Sequence, residues 1–190
     1  MVVTSGYGDS GYLSKTEILA IGNNNGQTPK YPDHPRKISG ATGGFLGTIF
    51  LTCGGYDIEE GYTEKCYEIG SEGSFHSFAS MMEKRKYASS IVLDDETIWI
   101  LGGRSSKILS STEYIYSDGR KEEGPPMPIA LYQHAMVKIN ETTSFLGRGL
   151  KHTTMHHPTK TQQLIQGAIV ILSPSRVTVS LTHLVFQTLG

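Results

Sequence analysis

His152, His156 and His157, in Lys151-His152-Thr153-Thr154-Met155-His156-His157, bring metal-ligand residue types together in this chain. Zinc takes three or four convergent ligands near ~2.1 Å. On a strand His152 and His156 share a face but stand ~13 Å apart, since each residue rises ~3.3 Å. Only a helical turn would converge them, and two intervening threonines disfavour helix. A solvated loop is the simpler reading, and no metal is expected. Asp57, Glu59 and Glu60 cluster in "YDIEEGYT", where the simpler reading is again a solvated loop tip. Cys53 and Cys66 fall on consecutive expected strands that a hairpin could join. Two readings stay open for them, a disulfide or two buried thiols packing as small hydrophobes. No Gly-rich phosphate loop, nucleophile elbow or paired-carboxylate motif is present, so neither a catalytic residue nor a cofactor is expected. Asn140-Glu141-Thr142 fits the N-glycosylation acceptor pattern at an expected turn.

Composition narrows the partners. Apolar residues make up 37% and charged residues 18% of 190, a globular balance. The net charge is −1 and the signs alternate, as in "EKRK" and "GRKEE". No basic stripe exists to neutralise a phosphate backbone, which argues against nucleic acid. The longest apolar run, "GAIVIL" at 167–172, is far shorter than the ~20 residues of a membrane-spanning helix. The first residues lack the charged-then-apolar order of a signal peptide.

Strands dominate the expected elements. "GTIFLTCG" and "ETIWILGG" are short β-branched and aromatic runs closed by glycine. "TEKCYEIG" and "STEYIYSDG" follow as partly alternating strands, with turns at Asp94-Asp95, Asp118-Gly119 and Asn140-Glu141. Helical periodicity never persists for three turns. Gly54-Gly55 and Gly102-Gly103 lie 48 residues apart with matching flanks. Lys65 and Glu113 keep that offset, Glu17 lies another 48 residues back, and Ser5-Gly6-Tyr7 is a worn counterpart of the diglycine. A period near 50 residues is the signature of propeller blades or of an array. The copies divide as 1–30 (partial), 31–80, 81–128 and 129–172 (degenerate), with 173–190 as the start of a further blade or an aberrant tail.

This pattern resembles the kelch repeat over roughly residues 1–176. In that family an arginine or similar residue enters the innermost strand and a second strand ends in Gly-Gly. A variable loop follows, then a third strand with a tyrosine, then a tryptophan opening the fourth. Arg36 and Arg85, Gly54-Gly55 and Gly102-Gly103, and Tyr67 and Tyr116 fill those roles, and "EGPPMP" at 123–128 resembles the link between blades. The tryptophan is missing from every copy. Phe75 takes its place in the second and Leu164 in the fourth, while Trp99 is a core residue of a second strand.

The resemblance implies an all-β fold of kelch-type β-propeller blades, about three full four-stranded blades with partial first and last ones. Known kelch propellers close with six or seven blades, so an incomplete propeller, a fragment of a larger protein, is expected here. The alternative is a four-bladed ring whose C-terminal strand completes the first copy. The diglycines, Arg36 and Arg85 are then structural, the arginines packing blade against blade.

The function implied is protein or peptide binding through the loops at 56–63 and 104–111, with Asp57, Glu59, Glu60, Arg104 and Lys107 as contact residues. Copper oxidases similar to galactose oxidase also carry such blades, but nothing in the spacing of Cys53, Cys66 and the tyrosines marks a radical site. An extracellular structural or adhesion role, using the Asn140 sequon, is an alternative of another class. For a longer parent chain the resemblance also implies the substrate-receptor part of a cullin-type ubiquitin ligase adaptor, working through an upstream BTB domain.

Overall fold

The structure is a computed structural model and describes residues 2–18, 32–69, 73–140, 143–146, 169–173 and 176–180. Every regular element among them is a strand. β1 (Val2–Gly8) and β2 (Gly11–Ile18) form a two-stranded sheet. The second copy holds β3 (Ile38–Ser39), β4 (Thr42–Leu46), β5 (Ile49–Cys53), β6 (Tyr56–Asp57), β7 (Gly61–Tyr62), β8 (Cys66–Ile69) and β9 (Phe75–Ser77). The third holds β10 (Ser89–Asp94), β11 (Thr97–Leu101), β12 (Thr112–Tyr116) and β13 (Lys121–Gly124). β14 (Met136–Asn140), β15 (Thr143–Leu146), β16 (Ile169–Ser173) and β17 (Arg176–Ser180) make the fourth.

Three antiparallel sheets run in chain order, β4-β5-β8-β9, β10-β11-β12-β13 and β14-β15-β16-β17. The pairing of the second strand with the third inside each copy agrees with the expectation from the diglycine spacing. The fourth sheet differs from the sequence reading. It continues past residue 172 and takes 176–180 as its outer strand, so that segment neither opens a further blade nor completes the first copy. Leu164, His152, His156 and His157 lie outside the described residues, as does the rest of the Asn140 sequon. Asn140 itself ends β14, opposite Thr143.

The offset of 48 residues holds for the second strands and fails for the third. Cys53 faces Cys66 and Leu101 faces Thr112, so equivalent third-strand rungs lie 46 residues apart. The loop at 102–111 is two residues shorter than the loop at 54–65. Tyr67 and Tyr116 both lie on third strands, but the rung of Tyr67 (opposite Thr52) is occupied by Glu113 (opposite Ile100).

Alternation along β11 explains why the third sheet is buried on both faces. Ile98 and Ile100 join Leu46, Leu51, Cys53, Cys66 and Met81 in a core between the second and third copies. Trp99 and Leu101 point the other way, packing with Ile91, Met127, Leu131 and Met136. Trp99 is 1% exposed and stacks on Tyr114 at 5.5 Å, the core position expected of it. Cys53 and Cys66, open between two readings in the sequence, form a disulfide across directly opposed residues of β5 and β8.

The copies are joined by main-chain hydrogen bonds that repeat. The amides of His34, Met81 and Met127 donate to the carbonyls of Ser14, Glu64 and Ser110, each two residues ahead of a third-strand rung in the preceding copy. The Tyr87 amide donates to the Gly40 carbonyl, and the Gln133 amide to the Tyr87 carbonyl. Gly40, Tyr87 and Gln133 all have left-handed backbone, at φ 70°, 57° and 52°. Two of these three are not glycine, a strain that holds only where the surroundings over-determine the turn.

Candidate partner-recognition face

The diglycines begin the loops that carry the candidate site. Gly54-Gly55 and Gly102-Gly103 have φ of 68°, 105°, 58° and 91°, which L side chains adopt only with strain. Space is closed as well. A Cβ on Gly102 would lie 2.5 Å from the Leu131 carbonyl oxygen, and one on Gly54 2.5 Å from that of Arg85. The second glycine of each pair donates its amide to the next copy, Gly55 to Arg85 and Gly103 to Leu131, both at 2.8 Å. In the first copy Ser5-Gly6 holds this place, at φ 56° and 130°. Each diglycine therefore turns the chain and fastens it to the following copy.

Arg85 and Leu131 are thus equivalent residues of two lead-in segments, and the residue packed on Gly55 in the second copy's lead-in is Ile38. Ile38, not Arg36, stands where Arg85 does. The sequence matched two arginines across segments of unequal length. Arg85 is 2% exposed. Its carbonyl binds the second copy, while its guanidinium enters the third. Nη1 donates to the carbonyls of Gly102 (2.7 Å) and Ser111 (3.0 Å), and Nη2 to Glu113 Oε1 (2.8 Å). Glu113, also buried, accepts the Met82 amide at 2.6 Å. The guanidinium–carboxylate pair lies within the third copy, and the Arg85 carbonyl ties that copy to Gly55 of the second.

Arg36 has a different task. Its Nε and Nη2 grip Asp57 at 2.6 and 2.9 Å, and Nη2 reaches Glu59 at 3.0 Å. Asp57 is 2% exposed and also accepts the amides of Glu59 and Glu60. The Arg36 guanidinium, with those amides, holds its carboxyl below the usual carboxylate range against the opposing effect of burial. Asp57 therefore shapes the loop from inside and presents nothing to a partner. Glu59 and Glu60 are exposed, and Glu60 pairs with Lys65 at 2.6 Å.

Both loops fold back on their own lead-in segments. β6 pairs with β3 and β7, while Arg104 bridges Lys86 and Ile108. The first loop residue of each copy then meets the lead-in of the next. Lys86 Nζ sits 4.8 Å from the Tyr56 ring centroid, and Arg104 Cζ 5.5 Å from that of Tyr132, cation–π contacts with the roles exchanged. Lys86 also lies 5.0 Å from Tyr87 and 5.3 Å from Tyr62. Tyr12 stacks on Tyr56 at 6.0 Å, and Tyr7, 73% exposed, meets Tyr12 edge-on at 5.3 Å. Burial, then the neighbouring Arg104, pulls the Lys86 amine below its ordinary value.

Of the residues expected to contact a partner, Glu59, Glu60, Arg104 and Lys107 lie on these loops, with Lys107 exposed. The tyrosines and Lys86 were missed. They come from the first copy and three later segments, and no local pattern marks them. Among the described residues no group of three His, Cys, Asp or Glu side chains could hold a metal.

Comparison with known proteins agrees with this architecture. No protein-family model matches the chain. A protein of cowpox virus (strain GRI-90 / Grishak), Kelch repeat and BTB domain-containing protein 2, is 25% identical over 127 residues, 64% of this chain. Its horsepox virus counterpart is 24% identical over 127 residues. The matched stretch covers 23% of each relative's length. Diglycine-ended second strands within four-stranded antiparallel blades define a repeat protein of the propeller-blade class. With these relatives beside them, the repeats are similar to kelch repeats.

Proposed function

We propose that this chain is a binding scaffold that recognises a protein or peptide through the loops at 56–62 and 104–109 and the lead-in residues beside them. The band of tyrosine, lysine and arginine across four copies carries this reading. Rigid sheets hold the loops, and loops on a rigid scaffold are where binding residues concentrate. Tyrosine and arginine are also the residue types enriched at protein contact centres. Nothing in the reading requires catalysis or a cofactor.

Affinity capture with quantitative mass spectrometry tests it. A loop variant carrying Ile58→Ala, Glu60→Ala and Lys107→Ala should lose a reproducible set of proteins. An outer-strand variant, Glu122→Ala with Glu123→Ala on β13, should keep them. Identical capture by both variants would overturn the assignment to the loop face.

Two observations favour further readings of where such a scaffold works. The relatives' names couple kelch repeats with a BTB domain, which favours the substrate-binding part of a cullin-type ligase adaptor. The Cys53–Cys66 disulfide, together with the Asn140 sequon, favours an extracellular structural or adhesion protein, since disulfides persist in oxidising compartments. A mobility shift on deglycosylation of the secreted product would select the second.

A further inference from the structure

Four cations among the described side chains are withdrawn from solvent: Arg36, Arg85, Lys86 and Arg104. Arg36 is matched by Asp57 and Glu59, and Arg85 by Glu113. Lys86 and Arg104 have no carboxylate within ion-pair distance among the described residues. Arg104 Nε is buried without a hydrogen-bond partner. No carbonyl or carboxylate of those residues accepts from Lys86 Nζ, which faces three aromatic rings. The two residues are bridge partners, so the like charges sit side by side. Rings stabilise a cation by their quadrupoles but accept no strong hydrogen bond. Two partly desolvated cations placed together without a counter-ion cost free energy that an arriving anion would recover.

We propose that Lys86 and Arg104, flanked by Tyr56, Tyr62, Tyr87 and Tyr132, form a carboxylate-recognition site for an acidic segment of a partner protein. This rests on the binding-scaffold reading and assigns its ligand chemistry. The guanidinium offers paired donors to a carboxylate, and the ammonium supplies a second, independently aimed donor. The rings on either side give the peptide's neighbouring side chains a flat apolar surface. A carboxylate fits better than a phosphate. The adjoining hairpin that carries Tyr56 and Tyr62 also carries Glu59 and Glu60, whose charge repels a dianion more than a monoanion.

Fluorescence anisotropy on the full chain decides it, with a labelled Gly-Ser-Glu-Phe-Glu-Ser-Gly peptide as probe. Its twins carry glutamine or phosphoserine in place of both glutamates. The glutamate peptide should bind at least ~10-fold more tightly than the glutamine twin, and more tightly than the phosphoserine twin. Lys86→Gln and Arg104→Gln should each weaken it by a comparable factor, while Lys86→Arg, which keeps the charge, stays within ~2-fold and Lys121→Gln on β13 changes little. Lys86→Met keeps the stem on the rings and replaces Lys86→Gln if that variant melts early. Equal affinity for the glutamine twin, preference for phosphoserine, no effect of the substitutions, or no binding of any probe would each overturn the carboxylate site. The captured-protein experiment would still report on the scaffold in every one of those cases, because its loop variant leaves Lys86 and Arg104 in place.

Discussion

In the second copy Arg36 closes on Asp57 and Glu59, and Lys65 on Glu60, so each of these loop carboxylates has a cationic partner and one negative charge is left over. In the third copy Ser105 stands where Asp57 does, and among the described residues the Arg104 side chain meets the Tyr132 ring and no carboxylate. The deeper layer is reversed. There the second copy places Ile38 and Tyr67, while the third places the buried Arg85–Glu113 pair. Two copies with one backbone have moved their ion pair, in one case to the loop and in the other to the junction. Charge satisfied inside a loop builds scaffold. Charge left unmatched at a loop's edge is what a partner can use.

The sharpest way to break this comparison is to remove one member of the junction pair. Glu113→Ala should cost ~3–5 kcal/mol, because it strands a buried guanidinium. The double change Arg85→Ile with Glu113→Tyr, which copies the second copy into the third, should fall within ~1 kcal/mol of wild type. Urea unfolding midpoints measure both. A double variant as unstable as Glu113→Ala would show that the two junctions are not interchangeable.

Gly102→Val should cost ~3 kcal/mol, from left-handed backbone and from the approach to the Leu131 carbonyl. Gly54→Val, facing the Arg85 carbonyl at the same distance, should match it in the same assay. A cost near that of Ser105→Ala for either glycine would remove the diglycine from its fastening role.

Acid should separate the junctions. His134 stands where Ala88 does in the previous copy, beside the left-handed residue, and burial lowers its pKa to about 4. Above about pH 6.5 it is neutral folded and unfolded, so it has no effect on stability. As pH falls from there towards 4 the unfolded chain takes up a proton that the folded one refuses, and stability drops by ~3 kcal/mol. His134→Leu should flatten this stretch of the stability–pH curve, and an unchanged slope would refute the assignment.

The smallest effect is expected at the loop. Asp57→Asn should cost ~1–2 kcal/mol near pH 7 by weakening the clamp with Arg36. The folded-state pKa of Asp57 is depressed. Its contribution is therefore complete above about pH 4 and is lost as pH falls through the folded value. Wild type and Asp57→Asn should converge at low pH, and a constant gap would place the cost elsewhere.

The second strands were legible from sequence because Gly-Gly, a β-branched run and a fixed spacing all fall on one rigid segment. The third strands lie where the sequence places them, but their residues match two rungs out of register because the loops ahead of them differ by two residues, which sets Tyr67 at the rung of Glu113. Arg36 was aligned with Arg85 by residue type, whereas backbone contacts align Ile38 with it. The outer half of the fourth sheet was visible as the β-branched runs "IVILS" and "RVTVS", but without a diglycine in register nothing tied them to their copy. The tyrosine band gave no local sign at all. It exists only where four separate segments meet.

The junctions run through backbone amides and carbonyls, from Gly40 to Tyr87 to Gln133, and from the amides of His34, Met81 and Met127 to the carbonyls of Ser14, Glu64 and Ser110. Such a joint reads no side chain, so histidine and methionine serve alike at one station, and glycine, tyrosine and glutamine at another. Duplicating or deleting one copy leaves each remaining donor facing an acceptor. Lineages of this architecture can therefore change the number of their blades in whole steps, while the residues on the loops drift towards new partners at their own pace.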